Sequence, residues 1–135
     1  MSGLPPLKKQ FMDLEMAEIS GSKFNHVLAE KLHFHNVNLS GTKITDANLS
    51  DLHIEDAQIG GATFRHIGLP PEGHPAHDSD AKHRTVTFEN CDLNTSTLKN
   101  CNLSNVDISN CSIKGLRING VLIEELLEKH VRNSD

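Results

Sequence analysis

The sequence predicts an all-β repeat protein, because one apolar residue recurs at every fifth position over most of the chain. The series begins at Ile19 and continues to Leu69, and after a break it continues from Phe88 to Ile123. A smaller or aliphatic residue stands two positions before each member, and none of the 19 pentads carries a charge at either position. A period of five fits neither an α-helix nor a flat strand. It indicates a chain that bends at every repeat and returns the same position to an interior.

The large apolar residue of each pentad, which we call the central residue, is predicted to fill that interior. Phe, Leu and Ile dominate this position, with Ala, Cys, Val and Ser beside them, so a packed core without a ligand cavity is expected. The predicted core residues are Phe24, Phe34, Leu39, Ile44, Leu49, Ile54, Ile59, Phe64, Phe88, Leu93, Leu98, Leu103, Ile108, Ile113 and Ile118.

Composition limits the class of protein further. A chain of 135 residues predicts one domain, and its net charge of −5 comes from 18 acidic and 13 basic residues. The mild acidity and the absence of Trp and Tyr argue against direct binding to nucleic acid. No apolar run has the length of a signal peptide core or a membrane span, so a cytoplasmic protein is expected. Cys91, Cys101 and Cys111 are predicted to be small buried residues rather than a disulfide framework.

The pattern divides the chain into segments within that single domain, 1–135. Residues 1–16 precede the repeats and are predicted to cap the first coil, because an uncovered β edge invites aggregation. The repeats occupy 17–71 and 86–125. Between them, residues 72–85 lack periodicity and contain Pro, Gly and charges, which predicts a projecting loop. An amphipathic helix is predicted over 124–131.

Two pentads show the pattern most clearly: Ala-Asn-Leu-Ser-Asp at 47–51 and Cys-Asn-Leu-Ser-Asn at 101–105. They resemble the pentapeptide-repeat family. The resemblance implies a solenoid that is a right-handed quadrilateral parallel β-helix with four pentads per coil, hence nearly five coils in this chain. Residues 20 apart would then stack in columns, such as Phe24, Ile44 and Phe64.

The function that the sequence favours is non-catalytic: a scaffold that presents its loop and flat faces to another protein. Ser, His and Asp are abundant, but they stand at outward positions beside turns, where no cleft would shift a pKa or exclude water. No catalytic residue and no cofactor is therefore predicted. An alternative follows from the resemblance, since some pentapeptide-repeat proteins bind DNA gyrase or topoisomerase IV by mimicking duplex DNA. This chain differs from those proteins in its shorter rod and its charge, and no particular gyrase-contacting residue can be assigned.

A second alternative is a metal- or pH-responsive module built on the histidines of loop 72–85. Imidazole and carboxylate groups ligate zinc and similar ions, and His titrates near neutral pH. The spacing matches no strong metal motif, so no metal site is predicted. The weak candidates are His74, His77, Asp78, Asp80 and His83.

The C-terminal segment carries an apolar face that is expected to be buried against another surface. It could fold back over its own last coil, or it could pair with a second chain in a two-fold dimer. The resemblance favours the homodimer, because gyrase-binding members of the family dimerise through a C-terminal helix. The residues expected to form the cap or the dimer contact are Leu122, Ile123, Leu126, Leu127 and Val131.

Overall fold

The structure of the chain is a computed structural model that describes residues 5–134. The chain divides into two units, Met1–Ala62 and Thr63–Asp135. The regular elements all lie in the second unit: β1 at Arg117–Ile118, β2 at Val121–Leu122 and α1 at Ile123–Arg132. The first four residues of the predicted cap, 1–16, lie outside the described residues, and the single-domain organisation stays a prediction.

In the first unit the backbone turns once in every pentad, in phase with the central residues. The residue two positions after each central residue adopts the left-handed conformation, with φ of 79° at Gly21, 52° at His26 and 60° at Lys31. Such angles suit Gly, Asn and Asp best. The five-residue period read from apolar side chains is therefore also a period of the backbone.

The turns of the second unit follow the same rule. Asn90, Thr95, Asn100, Asn105 and Asn110 all have φ between 53° and 64°. Each stands two positions after a predicted core residue. Asn tolerates this region because its short polar side chain can bond to nearby backbone. The small polar residues that the sequence pattern assigned to turns occupy turns.

Two kinds of turn alternate from pentad to pentad, except that the pentad of Ala29 takes a place of the first kind without the hydrogen bond that marks it. In the first kind the N–H three residues after the central residue donates to its carbonyl, as Ser22 does to Ile19 at 3.1 Å and Thr42 to Leu39 at 3.1 Å. With a positive φ at the third residue, this is the type II pattern, which favours Gly there. The pentads between are open bends with slightly smaller φ, 52° at His26 and 49° at Asp46. The four glycines in these turn positions, Gly21, Gly41, Gly61 and Gly115, all occupy the bonded kind.

The last pentads give way to a hairpin and a helix. β1 and β2 pair antiparallel, with Arg117 opposite Leu122 and Ile118 opposite Val121. The connecting Asn119 and Gly120 both have positive φ, 49° and 82°, which is the tight turn that an Asn-Gly pair favours. The predicted repeats run to residue 125, whereas the backbone between 121 and 125 forms β2 and the start of α1.

Helix α1 covers the predicted 124–131 and extends one residue further at each end. Glu124 and Glu125 lie in its first turn, and Lys129, His130 and Arg132 in its last. Acidic groups at the start and basic groups at the end both stabilise the helix dipole. The backbone N–H of Ile123 donates to the carbonyl of Leu116 at 3.0 Å, which ties the start of the helix to the last turn before the hairpin.

The predicted core residues are not buried in the described conformation, where none of the described residues is buried, and their inward position stays a prediction. Within the described pentads before β1, the backbone hydrogen bonds close single turns and join no coil to another. The accessible surface is 15012 Å², about twice the ~7,000 Å² expected for a compact monomer of this mass. The structure thus shows formed turns without stacked coils. The predicted core residues that are exposed are Phe24, Phe34, Leu39, Ile44, Leu49, Ile54, Ile59, Phe64, Phe88, Leu93, Leu98, Leu103, Ile108 and Ile118, and Ile113 is half-buried.

Candidate binding surfaces

We call the two residues that flank each central residue its outer pair, and in several pentads these two residues contact each other. The carboxamide oxygen of Asn38 accepts bonds from the N–H and the hydroxyl of Ser40, at 3.0 and 2.6 Å. Asn48 accepts from the N–H of Ser50 at 3.0 Å, and in the second unit Asn102 accepts in the same way from Ser104. The outer pairs are the chemical groups that each pentad offers to solvent or to a partner.

One outer pair changes the acidity of a carboxyl group. The hydroxyl of Ser20 donates to the carboxylate of Glu18, and the backbone N–H of Ser20 donates to it at 2.8 Å. Because both bonds favour the ionised form, they hold the pKa of Glu18 below its ordinary value.

Histidine occupies two further outer pairs of the first unit. The rings of His33 and His35 have centroids 6.2 Å apart with planes tilted by 32°. Nε2 of His53 lies 3.4 Å from Oε2 of Glu55. Sequence reasoning concentrated on the loop and missed these residues. The 20-residue offset between the two pairs could have revealed them. With the predicted four pentads per coil, the two pairs would lie in adjacent coils, one above the other.

Loop 72–85 is a series of hydrogen-bonded turns. The N–H of His74 donates to the carbonyl of Pro71 at 3.0 Å, and the N–H of His77 donates to the carbonyl of His74 at 2.9 Å. Nδ1 of His77 donates to the carbonyl of Pro70 at 3.0 Å, since a carbonyl can only accept. A third turn joins Ala81 to Asp78 at 3.2 Å. These bonds give the loop a defined path where it leaves the repeats.

The weak metal candidates of the loop are not brought together. Nδ1 of His74 accepts from the N–H of Ala76 at 3.0 Å, and a carboxylate oxygen of Asp78 accepts from the N–H of Asp80 at 2.9 Å. Both side chains thus serve their own turns. Among the described residues, no group of three or more His, Cys, Asp or Glu side chains is close enough to hold an ion. His83 belongs to no such group either.

The three cysteines are exposed free thiols. Each S–H donates to the carbonyl two residues earlier: Cys91 to Glu89 at 3.3 Å, Cys101 to Lys99 at 3.3 Å and Cys111 to Ser109 at 3.1 Å. The repeated geometry reflects the repeated position of these residues in their pentads. Their predicted burial, like that of the central residues, depends on coil stacking that the structure does not contain.

The C-terminal residues form the most covered part of the chain. Leu116, Leu122 and Ile123 are half-buried, as is Ile113. A shallow hollow separates α1 from the turn before the hairpin. Leu126 lies outside this hollow and is 53% exposed. The helix therefore lies beside the end of its own repeats, and the choice between self-capping and a dimer stays a prediction. The hollow is lined by Ile113, Glu124, Leu127, Glu128, Val131 and Arg132.

Comparison with known proteins places the chain in a family. It matches the pentapeptide repeats in eight copies, over residues 13–51, 33–67 and 86–121, which together make up well over half of the chain. The chain therefore belongs to the pentapeptide-repeat family. Members of this family generally form β-helix solenoids and are generally non-catalytic.

The other comparisons add no relative. Neither the curated proteins nor the solved structures contain a match. In the part of the chain that the structure describes, no helix has the length and apolar character needed to cross a membrane.

Proposed function

We propose that this chain is a non-catalytic scaffold whose pentads close into a right-handed quadrilateral β-helix and whose outer faces and loop bind another protein. Family membership supports the solenoid and the absence of catalysis. The observation that carries the finer proposal is the alternation of the two kinds of turn. Pentads one coil apart stack in a column. If a coil holds an even number of pentads, every turn in a column is of the same kind, whereas a coil of three pentads would place both kinds in each column.

The alternation also keeps its phase across loop 72–85. The pentads of Ile59 and Phe64 have a bonded turn and an open bend respectively. The pentad of Leu69 takes the next place and leads into the loop, and the pentad of Phe88 is again open, followed by a bonded turn at Leu93. The loop therefore counts as an even number of pentads, of which zero is the simplest case.

Closure into coils would remove two free-energy costs of the described conformation: the exposure of the central residues to water and the lack of backbone pairing between pentads. The central residues would leave water, at roughly 25 cal/mol for each Å² of apolar surface. The backbone groups of each pentad would pair with those of the coils on either side, about 4.8 Å away. The far-ultraviolet circular dichroism of the purified chain tests this step. A β spectrum with a cooperative melt is expected, and a coil spectrum at all temperatures would contradict it.

A binding experiment tests the scaffold function. The immobilised full chain should retain one protein in stoichiometric amount from an extract of its own cells, in buffer that contains a chelator. A matched bait has residues 72–85 replaced by a short Gly-Ser linker. Loss of the partner from this bait assigns binding to the loop, and retention assigns it to the faces of the repeats. Failure of both baits to retain any stoichiometric protein would refute the scaffold function.

We also propose that α1 pairs with a second copy of the chain. The support is its apolar side chains, since Leu126, Leu127 and Val131 remain 53%, 48% and 64% exposed beside the hollow. Such a continuous apolar helix face commonly marks an interface. Sedimentation at micromolar concentration should show a dimer that Leu126→Asp converts to a monomer. Lys129→Asp places the same carboxylate on the polar face and should leave the dimer intact. A wild-type monomer, unchanged by Leu126→Asp, would leave only self-capping.

A further inference from the structure

Two outer pairs of the first unit carry imidazole and carboxylate groups, and one of the pairs has the separation expected of two ligands on one metal ion. The rings of His33 and His35 lie with centroids 6.2 Å apart. Two imidazoles that each place a nitrogen roughly 2.0–2.1 Å from one ion have centroids about 5–6 Å apart, so these two rings would have to move slightly closer to share an ion. Nε2 of His53 and Oε2 of Glu55 are 3.4 Å apart. Two ligands of a tetrahedral ion, each about 2.0–2.2 Å from it, are separated by about 3.3–3.5 Å.

The two pairs occupy equivalent places in their pentads. His33 and His35 flank Phe34, and His53 and Glu55 flank Ile54. Both pentads have the open bend, at Asn36 and Asp56 respectively, with φ of 52° and 53°. In the described conformation the pairs remain separate. Four pentads per coil place His33 next to His53 and His35 next to Glu55 in adjacent rows, about 4.8 Å apart. This juxtaposition rests on the proposed β-helix.

We infer that His33, His35, His53 and Glu55 form a surface site for a divalent transition-metal ion of the zinc type. Three imidazoles and one carboxylate are a ligand set for a tetrahedral ion of borderline softness, whereas calcium and magnesium require more oxygen ligands. The preceding row of the same column carries Asp13 and Glu15, which flank Leu14. The φ of Met16, 52°, places that pentad in the same open class. Two further acidic groups beside the site attract cations.

The test uses the full chain with zinc chloride in isothermal titration calorimetry, and Co²⁺ absorption as the report on geometry. We expect one ion per chain and the visible spectrum of tetrahedral Co²⁺. His53→Gln should weaken binding by at least about tenfold, because removing even an indirect partner of a metal ligand commonly costs 10–100-fold.

Two control variants separate this site from the other histidines. His77→Gln removes a loop histidine and should leave zinc affinity unchanged. The double variant His53→Gln with Gln58→His keeps the number of histidines but moves one imidazole to the next pentad, on a different face. It should bind as weakly as His53→Gln alone. Equal binding by the wild type and this double variant would overturn the proposed site.

Circular dichroism of the same samples distinguishes failure of the site from failure of the fold. A chain with a cooperative β melt but no saturable zinc binding would refute the metal site and leave the β-helix standing. A chain with no β melt would refute the β-helix, and the site would fall with it. Zinc that binds the wild type but is lost in His77→Gln would assign the ion to the loop and overturn the proposal.

Discussion

The repeats and the C-terminal hairpin with its helix differ in the range of their backbone hydrogen bonds and in the burial of their apolar side chains. In the repeats, each turn is formed by residues within one pentad, and the central residues remain exposed. At the C-terminus, the N–H of Ile123 reaches the carbonyl of Leu116, and Ile113, Leu116 and Leu122 become half-buried. Turn formation therefore needs only the local sequence, whereas burial needs the chain to return on itself. The hairpin returns after two residues, but a coil of four pentads returns only after 20.

The largest expected effect tests whether the repeats gain the burial that the C-terminus already has. If the coils close, Phe64→Ala should lower the free energy of unfolding by ~3–5 kcal/mol, because it removes a large ring from a packed column. Lys43→Ala changes an outward residue and should have a far smaller effect. Thermal melts of the two variants measure the difference. Equal melting temperatures would show that Phe64 is as exposed in solution as in the described conformation, where it is 66% accessible.

A second prediction concerns the turns themselves, using two adjacent glycines. Gly61 has a φ of 79° and Gly60 has no left-handed angle, and a Cβ on either would meet nothing within 4 Å. Gly61→Ala should therefore destabilise by about 1–2 kcal/mol through backbone strain alone. Gly60→Ala should be neutral or slightly stabilising, since it restricts the unfolded chain. Urea melts of both variants provide the measurement. A larger loss for Gly60→Ala would place the left-handed residue one position earlier.

Replacing loop residues 72–85 by a short Gly-Ser linker should change the stability little. Each doubling of loop length costs only about 0.6 kcal/mol, and the loop's described backbone bonds join its residues to each other or to Pro71. The melting temperature and the β circular dichroism signal should be retained. Aggregation or loss of that signal would mean that the loop supports the repeats on either side.

The smallest expected effect lies at one outer pair. The two bonds from Ser20 lower the pKa of Glu18, so the carboxylate adds stability above its unfolded pKa and loses it as the pH falls through the folded value. A side-chain NMR titration should show a higher pKa for Glu18 in Ser20→Ala, which removes the hydroxyl and keeps the backbone N–H. An unchanged pKa would show that the hydroxyl bond does not form in solution.

Much of the local structure could be predicted from the sequence. The five-residue period located the turns, and the apolar face of 124–131 located α1, because both depend on neighbouring residues. The predicted core could not be read in the same way, since exposure of Phe34 or Leu49 depends on coils 20 residues away in sequence. An Asn-Gly pair such as 119–120 favours a tight turn, but the five-residue period extended the predicted repeats to 125, and the hairpin was not predicted.

The candidate surfaces differ in the same way: the helix residues could be predicted from neighbouring positions, whereas the histidine pairs depend on residues 20 positions apart. The helix residues Leu126, Leu127 and Val131 were identified from their spacing alone, and they line or adjoin the hollow beside Ile113. The histidine pairs were missed because each looks like an ordinary polar outer pair. The two pairs form a candidate metal site only if Phe34 and Ile54 stack in one column of the proposed β-helix.

The alternation of bonded and open turns also limits how such a gene can lengthen. In the proposed coil of four pentads, duplication of a single pentad would move every downstream turn into a column of the other kind and rotate all later faces by one quarter. Duplication of ten residues restores the kind of turn but transfers each later face to the opposite side. Only a duplication of 20 residues, one full coil of four pentads, preserves both. An inserted segment that leaves and rejoins the coil at the same corner, as we propose for 72–85, escapes this rule and can vary in length at little cost.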